Sequence, residues 1–168
     1  KGFKTLTAVF QAPTEELKKI KGMGESAIAS IKAIQALTSR VGKETLSQRP
    51  LLPNLDHLVK YCRLQIEDIK SEQFHVFFLD KKQHLIQDEI HQKGTVDHIT
   101  IYPRELIKKA LFHGASYLLL VHNHPSGDCT PSSADIELTN YIIEIRKKLG
   151  IYTLDHLVIS SSNYISMK

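Results

Sequence analysis

Apolar residues recur along the chain in patterns that predict helices alternating with strands. After Asn54, apolar residues follow one another at helical spacing and predict a helix. Runs rich in β-branched and aromatic residues, bounded by turn residues, predict strands. The strands are expected at 73–80, 83–92, 97–102, 116–124, 152–160 and 164–167, with further helices from Pro103 to about His113 and from Ser133 to about Lys148. This alternation predicts an α/β fold in which helices pack on a sheet.

The first quarter of the chain has a different pattern, which predicts two short helices around the turn Gly22-Met23-Gly24. Thr14 is expected to cap the first of these helices, because acidic residues follow it directly. The small apolar face that the two helices would share consists of Leu17, Ile20, Ala27, Ile28 and Ile31. Residues 41–53 are expected to form a linker. The chain is therefore predicted to contain a helical unit at 1–43 and a second domain at 44–168.

This N-terminal segment resembles the helix-hairpin-helix motif, in which backbone N–H groups of a tight glycine turn bind a DNA phosphate. Positive charge is concentrated in the same segment. Residues 1–40 hold seven Lys or Arg and three Glu, whereas residues 41–168 hold fifteen of each sign, so the net charge of +4 lies in the first quarter. Localised basic charge favours a polyanionic partner such as DNA. A solvated basic surface and a protein-interaction hairpin are the alternatives.

Composition narrows the class of protein and its compartment. The hydrophobic share of 42% and the charged share of 24% are ordinary for a globular domain. No apolar stretch approaches the roughly 18 residues that a membrane span requires, so no membrane partner is expected. Cys62 and Cys129 form no motif, which fits a reducing cytoplasm. No signal peptide is visible, and the first residue, Lys1, indicates a fragment whose helical unit a preceding segment would complete, unless it docks on the next domain.

The strongest chemical signal is His122-Asn123-His124, at the end of an apolar strand. Side chains alternate along a strand, so both imidazoles point to one face and Asn123 points to the other. Asp135 lies in the first turn of the helix that follows. Two imidazoles and one carboxylate leave a fourth position open, which is typical of a catalytic zinc site. The competing interpretation is structural, because Ser132-x-x-Asp135 is also typical of a helix N-cap.

The sequence His122-Asn123-His124 also suggests two other enzyme classes, but this chain does not have the motif of either. The nuclease motif named after His-Asn-His has its residues dispersed over a ββα unit, whereas here all three lie on one strand. Zinc deaminases require Pro-Cys-x-x-Cys downstream of their histidine. The two cysteines of this chain are too far apart in sequence for that motif.

The spacing of His122, His124, Ser132 and Asp135 resembles the JAMM motif of the MPN+ (JAB) metallopeptidases, His-x-His-x7-Ser-x2-Asp, at every fixed position. The closer resemblance is to the bacterial RadC proteins, and it extends from about residue 10 to the C-terminus. It rests on His122-Asn123-His124-Pro125-Ser126-Gly127, Pro131-Ser132-x-x-Asp135, Leu154-Asp155-His156, and Gly94-Thr95 followed by Tyr102-Pro103-Arg104-Glu105. The resemblance implies a mixed, curved sheet flanked by helices (the MPN/JAB, cytidine-deaminase-like fold), preceded by a small all-α helix-hairpin-helix unit.

The resemblance also implies roles for individual residues. His122, His124 and Asp135 would bind Zn²⁺ as the cofactor, and Ser132 would donate a hydrogen bond to the oxyanion that forms during hydrolysis. The family requires an upstream glutamate as general base. Glu72, which directly precedes an apolar strand, is favoured over Glu89, which lies inside the next predicted strand.

The implied function is zinc-dependent hydrolysis of an amide, peptide or isopeptide bond in a peptide or protein substrate. A DNA-binding accessory role in repair or recombination is the alternative. Cleavage of phosphodiesters ranks lowest, because a single zinc ion lacks the second metal that nucleases commonly use. The element Asp155-His156 is expected either to brace a metal ligand or simply to pack in the core.

Overall fold

The computed structural model describes residues 3, 5–51, 53, 55–65, 71–93, 101–146, 149–160 and 162–168. Four helices come first, and the strands and the two remaining helices follow. The elements are α1 (Leu6–Gln11), α2 (Thr14–Lys18), α3 (Glu25–Ser47), α4 (Leu55–Gln65), β1 (Gln73–Leu79), β2 (Leu85–Lys93), α5 (Pro103–Phe112), β3 (Tyr117–Asn123), α6 (Ser133–Arg146), β4 (Tyr152–Ile159) and β5 (Tyr164–Ser166). None of the described helices is long and apolar enough to cross a membrane.

The five strands form one mixed sheet in the order β2-β1-β3-β4-β5. β3 and β4 run parallel, and every other neighbouring pair is antiparallel. All seven residues of β1 are buried, as expected for a strand that is covered on both faces. The predicted α/β fold, a mixed sheet flanked by helices, is therefore confirmed.

Two apolar clusters fill the space on the two faces of the sheet. On one face, α4 packs against the side chains that include Phe77, Leu119 and Leu157. On the other face, α5 and α6 pack against a second set that includes Val76 and Leu120. Alternation along the strands sends successive residues into opposite clusters, so the apolar runs of the sequence serve both cores.

The ends of the five strands lie within one residue of the prediction, except for the start of β2, which differs by two. β2 begins at Leu85 rather than at residue 83, because the Asp80 carboxylate accepts hydrogen bonds from the N–H groups of Lys82 and His84. Gln83, between them, has a positive φ of 65°. Most of the strand predicted at 97–102 lies outside the described residues, and its last two residues, Ile101 and Tyr102, are not in a strand. The predicted end of the last helix near Lys148 also lies outside them.

The N-terminal helices correct two expectations. Pro13, not Thr14, occupies the N-cap position of α2, and none of the described side chains caps that helix. The linker predicted at 41–53 is wrong over 41–47, because α3 continues to Ser47. Leu46 is buried in the core against α4, so the last two turns of α3 are held by packing that local sequence does not show. The predicted boundary between residues 43 and 44 falls inside α3.

The N-terminal helices pack directly on the rest of the chain. The Gln11 side chain donates a hydrogen bond to the backbone carbonyl of Arg63 at the end of α4. Gly42 allows α3 to approach α4 closely, since a Cβ at this position would lie 3.0 Å from Cδ2 of Tyr61. The Tyr61 hydroxyl donates to Asp88 of β2 at 2.6 Å, and Lys43 of α3 pairs with the same carboxylate. A partly buried polar contact thus joins α3, α4 and β2.

Candidate metal centre

A cluster of metal-ligating side chains lies where the end of β3 meets the start of β1. β1 and β3 are antiparallel, with Phe74 opposite His122, so the residue before β1 comes next to the last residues of β3. The loop after His124 then returns the chain to the N-terminus of α6, which carries Asp135. As a result, one ligand-type atom from each of Glu72, His122, His124 and Asp135 lies within 4.8 Å of all the others.

The separations within this cluster fit a tetrahedral ion. His122 Nε2 lies 2.9 Å from His124 Nε2 and 3.2 Å from Asp135 Oδ1, and His124 Nε2 lies 3.5 Å from Asp135 Oδ2. Neighbouring ligands of a tetrahedral zinc with bonds of about 2.0–2.1 Å lie about 3.3 Å apart. Glu72 Oε1 is 4.0 Å from His122 Nε2, which places this carboxylate beside the other three ligands.

Charges at the cluster also favour a cation. Burial by itself raises the pKa of the Asp135 carboxyl, but the adjacent His122 and His124 rings outweigh burial and hold that pKa well below its usual range. The hydrogen bond with Asp135 raises the pKa of His124, against the opposing effect of burial. Asp135 is therefore a carboxylate at any ordinary pH, and a carboxylate is the form that binds a metal ion.

The orientation of His124 is set by the loop that follows it. Its Nδ1 lies 2.8 Å from the backbone carbonyl of Asp128. A carbonyl can only accept, so Nδ1 carries a hydrogen, and Nε2 offers its lone pair to a metal once it releases the proton that it shares with Asp135. His124 is partly exposed, which leaves the cluster open to solvent on the side of this loop.

Ser132 contacts the cluster through Asp135. It lies directly before α6, its side chain is exposed, and its hydroxyl donates to Asp135 Oδ2 at 2.6 Å. The backbone N–H of Ser132 donates to the same oxygen at 2.7 Å, and the N–H of Asp135 donates back to the Ser132 hydroxyl at 3.2 Å. These reciprocal bonds form the helix cap that the sequence pattern also indicated. Cap and metal cluster are therefore the same structure, and the cap orients Asp135.

Glu89, the alternative general base, lies away from the cluster. It is on β2, where its carboxylate accepts hydrogen bonds from Lys109 and from His113, the latter at 2.8 Å. Burial raises the pKa of Glu89, but these hydrogen bonds lower it by more than burial raises it, so the pKa stays below its usual value. Of the two glutamates that the sequence proposed, the structure thus brings only Glu72 to His122, His124 and Asp135.

Comparison with known proteins places the chain in a family. Residues 52–168 match the family described as the RadC-like JAB domain. The chain belongs to the RadC-like JAB domain family. Two relatives are a UPF0758 protein of Ruegeria pomeroyi, 43% identical over 166 residues (99% of this chain and 74% of the relative), and a UPF0758 protein of Rhodobacter capsulatus, 43% identical over 160 residues (95% and 75%). The resemblance to RadC proteins seen in the sequence is confirmed.

In this RadC-like domain, Asn123 has a role that the sequence did not indicate. Its side chain faces away from the two imidazoles, as the alternation predicted, and it is buried. Its Oδ1 accepts from the backbone N–H of Gln73 at 2.9 Å, and its Nδ2 donates to the backbone carbonyl of Ser71 at 3.0 Å. These two bonds hold the backbone on both sides of Glu72. The residue between the histidines therefore positions the glutamate.

Two further side chains of the RadC-like domain surround His122. The Phe74 ring stacks on the His122 ring, with centroids 6.0 Å apart and an interplanar angle of 10°. His156 Nε2 lies 2.8 Å from His122 Nδ1. Burial, together with the nearby His122, lowers the pKa of His156 to about 3, so the His156 ring is neutral. Of the two interpretations of Asp155-His156 left open by the sequence, contact with a candidate ligand is the one that the structure shows.

Proposed function

We propose that this chain is a zinc-dependent hydrolase that cleaves amide bonds, in a peptide, a protein chain or an isopeptide linkage. The observation that carries the proposal is the convergence of Glu72, His122, His124 and Asp135 within 4.8 Å. Two imidazoles and one carboxylate are a ligand set of catalytic zinc sites, which keep one position open. Membership of the RadC-like JAB domain family supports the same assignment.

The proposed roles follow from where the side chains lie. His122, His124 and Asp135 would hold the ion, which when bound supplies a Lewis acid and lowers the pKa of a water molecule to about 7. Glu72, 4.0 Å from His122 Nε2, would take a proton from the attacking water and deliver it to the leaving amine. Ser132 would turn its hydroxyl from Asp135 Oδ2 toward the developing oxyanion and donate to it.

The test combines metal analysis with a cleavage screen. Protein purified without chelator is expected to carry about one zinc ion per chain, the occupancy of a mononuclear site. It should cleave members of a panel of peptides and isopeptide-linked conjugates, lose this activity with chelator and recover it with zinc. The matched variants His122→Ala and Asp135→Ala should lose most of the zinc and all cleavage. Full zinc content in a His122→Ala/His124→Ala double variant would refute the site.

A second candidate function is DNA binding by the N-terminal helices, as expected of an accessory protein in repair or recombination. The observation in its favour is the turn between α2 and α3, where Gly22 has a φ of +87° and is exposed. The side chains of Lys19 and Lys21 are exposed beside this turn. Lys18 pairs with Glu15 at 3.0 Å.

Some of the positively charged side chains of this segment, such as Lys18, already form contacts within the protein. Lys32 is a further example, because its ammonium donates to the backbone carbonyls of Phe10 and Ala12. Binding through the turn should therefore depend on few side-chain charges and be insensitive to base sequence. Fluorescence anisotropy of labelled duplex and single-stranded DNA at two salt concentrations tests this. Absence of binding at low salt would leave the hairpin as a packing or protein-interaction element.

A further inference from the structure

A buried pair of side chains, Thr139 on α6 and His156 on β4, connects two of the candidate metal ligands without joining the cluster. Both side chains are at least nine-tenths buried, with 8% and 1% of their surface exposed. His156 uses both ring nitrogens. Nε2 lies 2.8 Å from His122 Nδ1, and Nδ1 lies 2.6 Å from the Thr139 hydroxyl oxygen.

The positions of the hydrogens in this chain of contacts follow from what each group can donate. The Thr139 hydroxyl lies 2.6 Å from the backbone carbonyl of Asp135, four residues earlier in α6. A carbonyl only accepts, so the single hydroxyl hydrogen of Thr139 goes to it, as is common for threonine within a helix. The Thr139 oxygen can then only accept from His156, which must therefore carry its hydrogen on Nδ1.

The same reasoning extends to the metal ligand. His156 is 1% exposed, and its ring nitrogens meet an imidazole and a hydroxyl, neither of them a carboxylate that would balance a charge. A ring buried in this way is neutral and carries one ring hydrogen, so His156 Nε2 is an acceptor. The contact at 2.8 Å requires His122 to donate from Nδ1. The lone pair of His122 Nε2 is then left facing Asp135 Oδ1 at 3.2 Å and His124 Nε2 at 2.9 Å, inside the cluster.

From this chain of contacts we infer that Thr139 and His156 are positioning residues that hold His122 in the tautomer with its hydrogen on Nδ1, which leaves the Nε2 lone pair for the metal. The inference rests on the proposed function for its metal, but the assignment of the hydrogens does not. The chain begins at the backbone of one ligand, Asp135, and ends at the ring of another, His122. It therefore couples α6, which carries the carboxylate, to β3, which carries the imidazole.

The surroundings keep this chain in place. His156 is opposite Leu120 in the parallel pairing of β3 and β4, so the sheet register sets the distance between the two rings. Phe74 stacks on His122 and meets the His156 ring edge-on, with centroids 5.5 Å apart. Because His156 and Thr139 are both buried, water cannot easily replace the Thr139 hydroxyl.

The variants that test the inference remove single hydrogen-bonding groups. Thr139→Val keeps the shape of the side chain but removes the acceptor for His156 Nδ1, whereas Thr139→Ser keeps the hydroxyl. We expect zinc affinity, measured by competition with a chelator, to fall about 10–100-fold in Thr139→Val, as for other partners of metal ligands. Thr139→Ser should stay close to wild type. Thr153→Val is the matched control, since the Thr153 hydroxyl, on the same strand as His156, has no hydrogen-bond partner among the residues that the structure describes.

A second measurement does not depend on any variant. Nitrogen-15 NMR of the histidine rings should show His156 with its hydrogen on Nδ1, in both metal-free and zinc-loaded protein. A hydrogen on His156 Nε2 would overturn the inference, as would wild-type zinc affinity in Thr139→Val. A wild-type chain with the expected His156 tautomer but no affinity for zinc would instead refute the proposed function and leave the assignment of the hydrogens confirmed.

Discussion

Single residues at the cluster perform two tasks at once. Ser132 and Asp135 cap α6 through reciprocal hydrogen bonds, and the same bonds hold the Asp135 carboxylate toward the imidazoles. Asn123 separates the two histidines in sequence and anchors the backbone beside Glu72 in space. A structural and a chemical interpretation of such residues are therefore not exclusive, because a ligand needs a rigid support to present its lone pair.

The two glutamates provide a prediction at this scale. Glu72→Gln should retain zinc but reduce any hydrolysis by about 10²–10⁴-fold, since a general base is lost while the ligands remain. Initial rates and zinc content, measured on the same preparations, check this.

Glu89→Gln is the control for the same chemical change elsewhere. It should leave the rate close to wild type and lower the melting temperature, because Lys109 and His113 lose the charge of their shared partner. If Glu89→Gln abolished hydrolysis and Glu72→Gln did not, the general base would be misassigned.

At the scale of elements, the two glycines of the turn between α2 and α3 differ in backbone conformation. Gly22 has a φ of +87°, whereas Gly24 has a φ of −76° and open space around it. Glycine is required only at the first position, since an L side chain in the left-handed region costs roughly 1–2 kcal/mol.

If the hairpin binds DNA, Gly22→Ala should therefore weaken binding several-fold, and Gly24→Ala should leave the conformation of the turn unchanged. Anisotropy titrations of the two variants with one labelled duplex make the comparison. Zinc content serves as a check that the rest of the chain is intact. Equal affinities for both variants and the wild type would exclude the turn as the DNA contact.

The contact between Tyr61 and Asp88 tests how α4 is held against β2. Tyr61→Phe removes the 2.6 Å hydrogen bond from α4 to β2, and we expect the free energy of unfolding to fall by about 1–2 kcal/mol. Tyr141→Phe, at an exposed position of α6, is the matched control and should change it by less than about 0.5 kcal/mol. Urea denaturation measures both, and similar losses would show that the contact contributes little.

At the scale of the whole molecule, the candidate ligands come from segments far apart in the chain. Glu72 precedes β1, His122 lies near the end of β3 with His124 directly after it, and Asp135 is in the first turn of α6. An ion bound by His122, His124 and Asp135 would therefore join β3 to α6 in the folded state only.

Metal binding should thus stabilise the whole domain. Zinc at a hundred times its dissociation constant should raise the free energy of unfolding by about 2.7 kcal/mol, if the unfolded chain does not bind it. Calorimetry with and without zinc would show this as a higher melting temperature. The double variant His122→Ala/His124→Ala should show no rise. An equal rise in that variant would indicate zinc bound elsewhere.

Local patterns were enough for the five strands of the sheet, the face of each histidine and the family, because alternation and motif spacing act between near neighbours in sequence. Burial of β1 and β3 follows directly from their apolar runs. The choice of Glu72 over Glu89 also depended on local context, since only Glu72 stands where an apolar strand begins.

Other features depended on contacts between distant segments. Gly42 and the residues after it look like a linker, yet α3 continues because Leu46 is buried against α4. The partners of Asn123 lie 50 and 52 residues earlier, and His156 reaches His122 across 34 residues. Such pairs leave no periodic signal in the sequence, because the sheet register and the packing of α6 alone bring them together.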